Sequence, residues 1–282
     1  MFSLPDDPAV ADRMRAAHHQ ATVVLSVRPD GTREAWGWRG RTLGRPVTGT
    51  DGPVWLRLVC MPAEEVGGKL WEGPEAAQKA MPDSVPRPHL LRVSDWTEGT
   101  YAYRAELSER IVHNPVTTDG PTLRAAPDLS AGWWGDLRSA LAQVAAVQTD
   151  RVAVRQEYLD RAMPEYLAFT GTRINTTVPV WTASHGDLHW ANLTAPRLAL
   201  LDWEGWGTAP AGFDVAMLHA YSLLVPETAV RVRAEFPEAL ATAAGRFAEL
   251  AVITMLLQTT TRGDNLDLEV PLRERAQELV RR

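Results

Sequence analysis

Asp187, Asn192 and Asp202 stand close together in the sequence, and their side chains are two carboxylates and a carboxamide. Hard oxygen ligands of this kind suit Mg²⁺, and a carboxylate outside the metal's shell can orient a hydroxyl and accept its proton. An apolar run at 178–181 precedes the segment, and a second at 198–201 separates its two polar clusters. The pattern reads as extended chain, polar loop, short strand and polar turn, which brings the three side chains to one end of a hairpin-like unit. Glu204 follows Asp202 at a spacing whose side chains point the same way in an extended segment, so it is a further candidate for metal or acceptor. His185 and His189 lie four apart, the spacing of a metal-ligand pair on a helix. A metal-dependent hydrolase is therefore an alternative chemistry, although Gly186 and the flanking apolar runs favour a loop over a helix.

The ordered set His185-Gly186-Asp187, Asn192, Asp202, Pro210, Gly212 and Asp214 resembles the aminoglycoside phosphotransferase and choline kinase family, including phosphotransferase-like proteins of actinomycetes. The resemblance implies an α+β, protein-kinase-like fold, with a small β-rich N-terminal lobe and a larger, mainly helical C-terminal lobe. It implies transfer of the γ-phosphate of ATP, with Mg²⁺, to a hydroxyl of a small molecule: an aminoglycoside-like antibiotic, an amino alcohol or a sugar. By the same resemblance, Asp187 is the catalytic carboxylate and Asn192 and Asp202 hold the metal, with Glu204 in an accessory role. His185 packs to hold the loop. Asp214 opens a helix and ties the loop down.

The elements that must position these residues change character along the chain. A helix is expected over 8–20, a strand over 21–28, a Pro29-Asp30-Gly31 turn, and a paired strand over 34–38 with Trp36 and Trp38 on one face. A third strand over 53–60 alternates Val54, Leu56, Leu58 and Cys60 with Trp55, Arg57 and Val59. A short helix over 73–81 takes Pro74 at its first position, and strands follow at 89–93 and 100–107. Residues 114–130 read as a loop, with helices over 131–145 and 152–170. More helices are expected over 213–224, 227–236, 237–261 (split or unbroken) and 268–282. The lobes are expected to be 1–107, holding nucleotide, and 108–282, holding the catalytic and acceptor groups.

The family resemblance places a phosphate-binding cation on the third strand, paired with a Glu of the helper helix. Arg57 stands at that position, with Lys69 as the other candidate, and Glu75 or Glu72 as partner. The phosphate loop would be 29–32, and the backbone of Glu106, Leu107 and Ser108 would read adenine at the lobe junction. Asp264, Asp267 and Glu269 put acidic groups near the last helices, where the family carries its acceptor. The irregular phosphate loop and Arg57 keep a second class open, a pseudokinase that binds nucleotide or acts as a scaffold without transfer.

Composition narrows the rest. The 282 residues carry a formal net charge of -6, which argues against nucleic acid as the main partner. No apolar run reaches membrane-spanning length, and the N-terminal residues lack a basic region followed by an apolar core, so neither a membrane partner nor a signal peptide is expected. A single cysteine, Cys60, excludes an internal disulfide and fits a reducing, cytoplasmic setting.

Overall fold

The computed structural model describes residues 4–37 and 40–281. The chain divides into two compact units, Met1–Lys79 with Arg87–Val112, and Ala80–Pro86 with His113–Arg282. The first unit therefore continues past the expected boundary at 107/108, because the strand there runs on to Glu109.

In the first unit, Asp7 caps helix α1 (Pro8–Val24) by accepting the Ala9 N–H at 2.9 Å. Its buried stripe, Met14, Ala17 and Ala21, packs on Leu43, Val47, Leu56, Leu58, Tyr103, Ala105 and Leu107 of the sheet. The first half of the strand expected over 21–28 is helix, and only Arg28 of it is strand. The β-branched Thr22, Val23 and Val24 cost a helix at most about 0.7 kcal/mol each, and burial of Met14, Ala17 and Ala21 along the helix's inner face offsets that.

Strands β1 (Arg28–Pro29) and β2 (Ala35–Trp36) both pair antiparallel with β3 (Thr42–Gly49), Arg28 against Thr48 and Ala35 against Gly44. They are two stretches along one side of β3, so Pro29-Asp30-Gly31 is an interruption in an edge and not a hairpin. Gly37 N–H donates to Thr42 C=O at 3.0 Å, which extends the pairing of β2 with β3 by one bond. The expected phosphate loop at 29–32 therefore lies between two strands that pair with β3 and not with each other, and Trp38 lies outside the described residues. Glu34 binds α1 to this edge by accepting from Arg15 at 2.9 and 3.1 Å and from Arg45.

Strands β4 (Gly52–Pro62), β5 (Leu90–Glu98) and β6 (Tyr101–Glu109) complete the sheet in the order β1-β3-β4-β6-β5. The alternation read in 54–60 holds: Leu56 and Leu58 face α1, while Val59 and Ala102 face Trp71 of α2 (Gly68–Ala80). Burial of Trp71 draws the helix start back to Gly68, which leaves Pro74 inside α2 and not at its first position.

The second unit opens with β7 (Asn114–Pro115) and α3 (Ala131–Ala145), whose cap Ser130 accepts the Trp133 N–H. Helix α4 (Gln156–Tyr166) begins later than expected because Ala153 and Val154 donate to Thr208 C=O at 2.9 and 3.0 Å. Strands β8 (Trp181–Ser184), β9 (Thr194–Ala195) and β10 (Gly207–Pro210) carry the polar segment. Helices α5 (Phe213–Ala220), α6 (Pro226–Glu235), α7 (Pro237–Leu240), α8 (Ala243–Thr260) and α9 (Glu269–Val280) follow, so the 237–261 stretch is split. Every residue of α5 is buried, and α8 is buried nearly all round, as expected of helices at a unit's centre.

Inside that bundle, Glu249 of α8 accepts from Arg275 at 2.8 and 3.0 Å and from Arg233 at 3.0 Å, with His219 Nδ1 at 3.5 Å. Burial pushes the Glu249 carboxyl up, but the arginines and His219 together hold it below its ordinary value. Among the described residues, no helix is long and apolar enough to cross a membrane.

Two buried histidines set an acid limit. Burial above all holds His18 and His219 down to about 4, from an ordinary 6.5. With the folded value below the unfolded one, the unfolded chain binds the proton first as pH falls. Their contribution is complete above pH 6.5 and is lost between 6.5 and 4. Urea midpoints across that range should show a loss of stability, roughly 3 kcal/mol at most per histidine. His18→Gln, which keeps a donor for Leu56 C=O, should flatten the profile of the first unit.

Candidate active site

The polar segment forms at the end of a short ribbon. Strands β8 and β10 pair antiparallel, Ser184 against Gly207, and the chain leaves Ser184 into the loop 185–189. Asp214, in the first turn of α5, accepts the His185 N–H at 2.7 Å on one oxygen and the Gly186 N–H at 2.9 Å on the other. Burial pushes the Asp214 carboxyl up against the pull of His185 and of those two backbone donors. Gly186 has φ 82°, and a Cβ there would lie 2.6 Å from the Gly205 carbonyl oxygen, so the loop admits only glycine at this point.

The histidines do not form a metal pair. His185 Nε2 donates to Leu201 C=O at 2.8 Å, and its ring meets the Trp203 indole edge-on at 4.7 Å. His189 is buried, with Nε2 3.6 Å from Asp187 Oδ2 and 3.3 Å from Asn192 Nδ2. Burial pushes its pKa down, against the pull of Asp187 and Asp202, which places both carboxylates within electrostatic reach of one imidazole. Among the described residues, no three His, Cys, Asp or Glu side chains gather to hold a metal. Residues 185–189 form a loop, so the helical spacing that motivated the hydrolase alternative is not present.

Asn192 Nδ2 donates to Asp187 C=O at 2.9 Å, which closes the loop on itself and turns Oδ1 away as an acceptor. Leu201 N–H donates to Asn192 C=O at 2.8 Å and Leu193 bridges Leu200, so the expected hairpin forms and ends beside Asp202. Asp202 has φ 61° and a turn follows at Trp203 and Glu204. The extended geometry expected to aim Asp202 and Glu204 the same way is absent. A left-handed residue followed by a turn breaks the strand alternation. Asp187 itself keeps 46% of its side chain exposed, in a loop whose neighbours are mostly buried.

Several residues that shape this site were not singled out from the sequence. Trp190 is fully buried, donates to Ser222 Oγ at 3.0 Å and stacks on Trp133 at 6.4 Å. Trp133 Nε1 donates to Thr194 C=O at 2.8 Å. Arg151 holds the turn after Asp202, donating to Trp206 C=O at 3.2 Å and Glu204 C=O at 3.3 Å. Tyr221 meets His189 edge-on at 5.7 Å, and Asn265 hydrogen-bonds its phenol. Burial above all, then Asp187, pushes the phenol pKa up, with Asp264 adding to it. The spacing of Asp214 and Tyr221, two helical turns, is the signal that could have placed both on one face of α5.

The acidic cluster expected at the acceptor end is dispersed. Asp267 pairs with Arg124 and Glu269 with Arg273, while Asp264 lies near Tyr221.

In the first unit, Arg57 Nη1 donates to Glu106 Oε2 at 2.8 Å. Glu75 takes Lys79 at 2.6 Å and Arg104 at 3.4 Å. Glu106 and Leu107 are not at a junction. They sit mid-strand in β6, Glu106 opposite Arg57 and Val93, Leu107 opposite Leu56 and Arg92. Neighbouring strands on both sides occupy the backbone that was expected to read adenine.

No family model matches the sequence, and no curated protein does. The fold matches solved structures along nearly the whole chain. The crystal structure of aminoglycoside phosphotransferase APH(4)-Ia has a TM-score of 0.63 at 12% identity, covering 94% of this chain and 98% of that one. Amicoumacin kinase hAmiN, in complex with AMP-PNP, Ca²⁺ and Ami, has a TM-score of 0.53 at 13% identity, covering 95% of each chain. A putative aminoglycoside phosphotransferase from Ralstonia eutropha JMP134 has a TM-score of 0.52 at 13% identity, covering 94% of this chain and 96% of that one. The chain has the α+β, protein-kinase-like fold of these phosphotransferases.

Removing the Asp214 clamp tests the loop directly. Asp214→Asn keeps one acceptor and turns an N–H₂ toward a backbone donor, at a cost of about 1–3 kcal/mol. Asp214→Ala should cost more. Hydrogen exchange should show faster exchange at the His185 and Gly186 amides in both variants, with distant amides unchanged in Asp214→Asn.

Proposed function

We propose that this protein is a small-molecule kinase that transfers the γ-phosphoryl group of ATP to an acceptor hydroxyl, with Mg²⁺. The observation that carries the reading is Asp187. Its carboxylate stays half exposed on a loop that Asp214 clamps at His185 and Gly186, and that Asn192 clamps at the Asp187 carbonyl. A group that must meet a hydroxyl and take its proton needs that combination of access and fixed position. The kinases and phosphotransferases that share the fold support the reading.

The donors present fit Mg²⁺. Asn192 Oδ1 and the Asp202 carboxylate are hard oxygens, with Glu204 as an accessory group. Mg²⁺ is commonly bound by one or two carboxylates together with substrate phosphates, so a full cage of protein ligands is not required. When bound, the ion neutralises charge on the nucleotide phosphates. Asp187 orients the acceptor hydroxyl and accepts its proton, while His189 packs behind Asp187 and Asn192. Arg57, in the first unit, holds nucleotide phosphate. Asp264, near the Tyr221 phenol that also feels Asp187, marks the acceptor side, where an aminoglycoside-like molecule, an amino alcohol or a sugar would bind.

Asp187→Asn should keep fold and nucleotide affinity while turnover with an accepted alcohol drops by at least about a hundredfold, the usual worth of a positioned base. Wild-type turnover in this variant would remove Asp187 from the chemistry. Nucleotide binding by the native protein without turnover across a broad acceptor panel would instead identify a pseudokinase.

Asp202→Ala should weaken ATP binding in the presence of Mg²⁺ far more than in its absence, as measured by calorimetry, because the lost contact is to the cation. Equal losses in both conditions would place Asp202 outside the metal site.

A further inference from the structure

We propose that Arg151 is a positioning residue for Asp202: its guanidinium fixes the turn that presents the Asp202 carboxylate to Mg²⁺, and its backbone ties that turn to the loop of Asp187. The proposal rests on the kinase reading above, in which Asp202 meets the metal.

Asp202 stands in the left-handed region at φ 61°. A residue with a side chain holds that backbone at a cost, and does so where the chain on both sides is fixed. The upstream side is fixed at Leu201, whose N–H donates to Asn192 C=O and whose C=O accepts from His185 Nε2, each at 2.8 Å. The downstream side is the turn through Trp203 and Glu204, ahead of the strand that begins at Gly207. Arg151 reaches this turn from a distant part of the chain. Its Nη2 donates to Glu204 C=O at 3.3 Å and its Nε to Trp206 C=O at 3.2 Å. The guanidinium carbon lies 5.4 Å from the ring centroid of Trp206, which is buried and backs the contact.

The backbone of Arg151 is held on the same stretch. Its C=O accepts the Thr208 N–H at 2.7 Å and the Thr208 hydroxyl at 3.1 Å, and Ala153 and Val154 return two bonds to Thr208 C=O. A Cβ on Gly207 would lie 2.8 Å from the Arg151 carbonyl oxygen, so glycine is what lets the two segments approach. The same segment touches the catalytic loop, because a Cβ on Gly186 would lie 3.1 Å from Ala153 Cβ as well as against Gly205 C=O. The turn after Asp202, the segment from Arg151 to Val154 and the loop of Asp187 therefore meet at one place. A shift of the turn is felt at both carboxylates.

Arginine suits this post. Its planar fork of N–H donors meets two carbonyls of one turn at once, whereas lysine is a point charge on a flexible stem. Charge alone predicts the opposite effect. A cation bonded to Glu204 C=O repels a divalent ion at Asp202, so removing it would tighten Mg²⁺ binding. Position and charge thus act with opposite signs.

The experiment is calorimetric titration of AMP-PNP, with and without Mg²⁺, into the native protein, Arg151→Met and Arg151→Lys, together with hydrogen exchange of each protein free of metal. Arg151→Met should lose about tenfold in affinity with Mg²⁺, the lower end of what groups outside a metal's ligand shell contribute, and stay within about twofold without it. Arg151→Lys should fall between, since it keeps the charge but not the fork. It also carries the comparison if the Met variant melts early. Amides of 203–208 and of Gly186 should exchange faster in both variants, with those of α8 unchanged. A merely structural role would lower affinity alike with and without Mg²⁺, and that result would overturn the proposal. So would tighter binding with Mg²⁺ in Arg151→Met beside native behaviour in Arg151→Lys, the mark of charge alone, or native exchange at 203–208 in Arg151→Met. Mg²⁺-dependent binding that Arg151→Met retains in full would sink the proposal and leave the kinase reading standing. A native protein whose AMP-PNP affinity is indifferent to Mg²⁺ would sink the kinase reading, and the proposal with it.

Discussion

Two backbone N–H groups, those of His185 and Gly186, point at one buried carboxylate, and the geometry of the loop 185–189 depends on that contact. A loop that turns through a left-handed glycine has no ladder to hold its amides. Without a partner, they would be buried and unsatisfied, or the loop would move. Asp214 supplies both bonds from the first turn of a helix whose every residue is buried, so the clamp is as rigid as the unit's centre. The same helix continues to Tyr221 against His189, and Ser222 beyond its end receives the Trp190 N–H. One short helix thus fixes the loop at several successive points, while Asp187 remains open to solvent.

The second unit shields its polar interior by distributing charge in small closed sets. Glu249 is matched by Arg275 and Arg233, and the neutral His219 completes its surroundings. Each member satisfies another, and that is the condition under which buried charge is tolerated. The first unit follows the same rule with Glu34, Arg15 and Arg45 at its edge and with Arg104, Asp95 and Glu75 beneath α2.

Local sequence carried much of the architecture. The alternation of residues 54–60 identified both faces of β4, because a strand's side chains must alternate whatever packs on it. The helix read over 131–145 is α3, with Leu137, Leu141 and Val144 on its buried face. The extent of α1 was misread because the β-branched run 22–24 carries a strand propensity that is weaker than burial of the helix's inner face. The hairpin was misplaced at Pro29-Asp30-Gly31 because turn chemistry is local, whereas β1 and β2 both choose β3 as partner, and that choice is made by packing.

The sequence by itself determined the candidate set, Asp187, Asn192, Asp202 and Asp214, and the loop and hairpin that carry it, since these form from neighbours along a short stretch of chain. Only the tertiary structure decided who partners whom among the charges. Arg57 meets Glu106 across 49 positions of chain, and Arg104 meets Glu75 across 29. A charge reaches several candidates of opposite sign in an unfolded chain, and spacing along the sequence does not rank them. Strand register and helix placement bring one candidate within hydrogen-bonding distance and carry the others away.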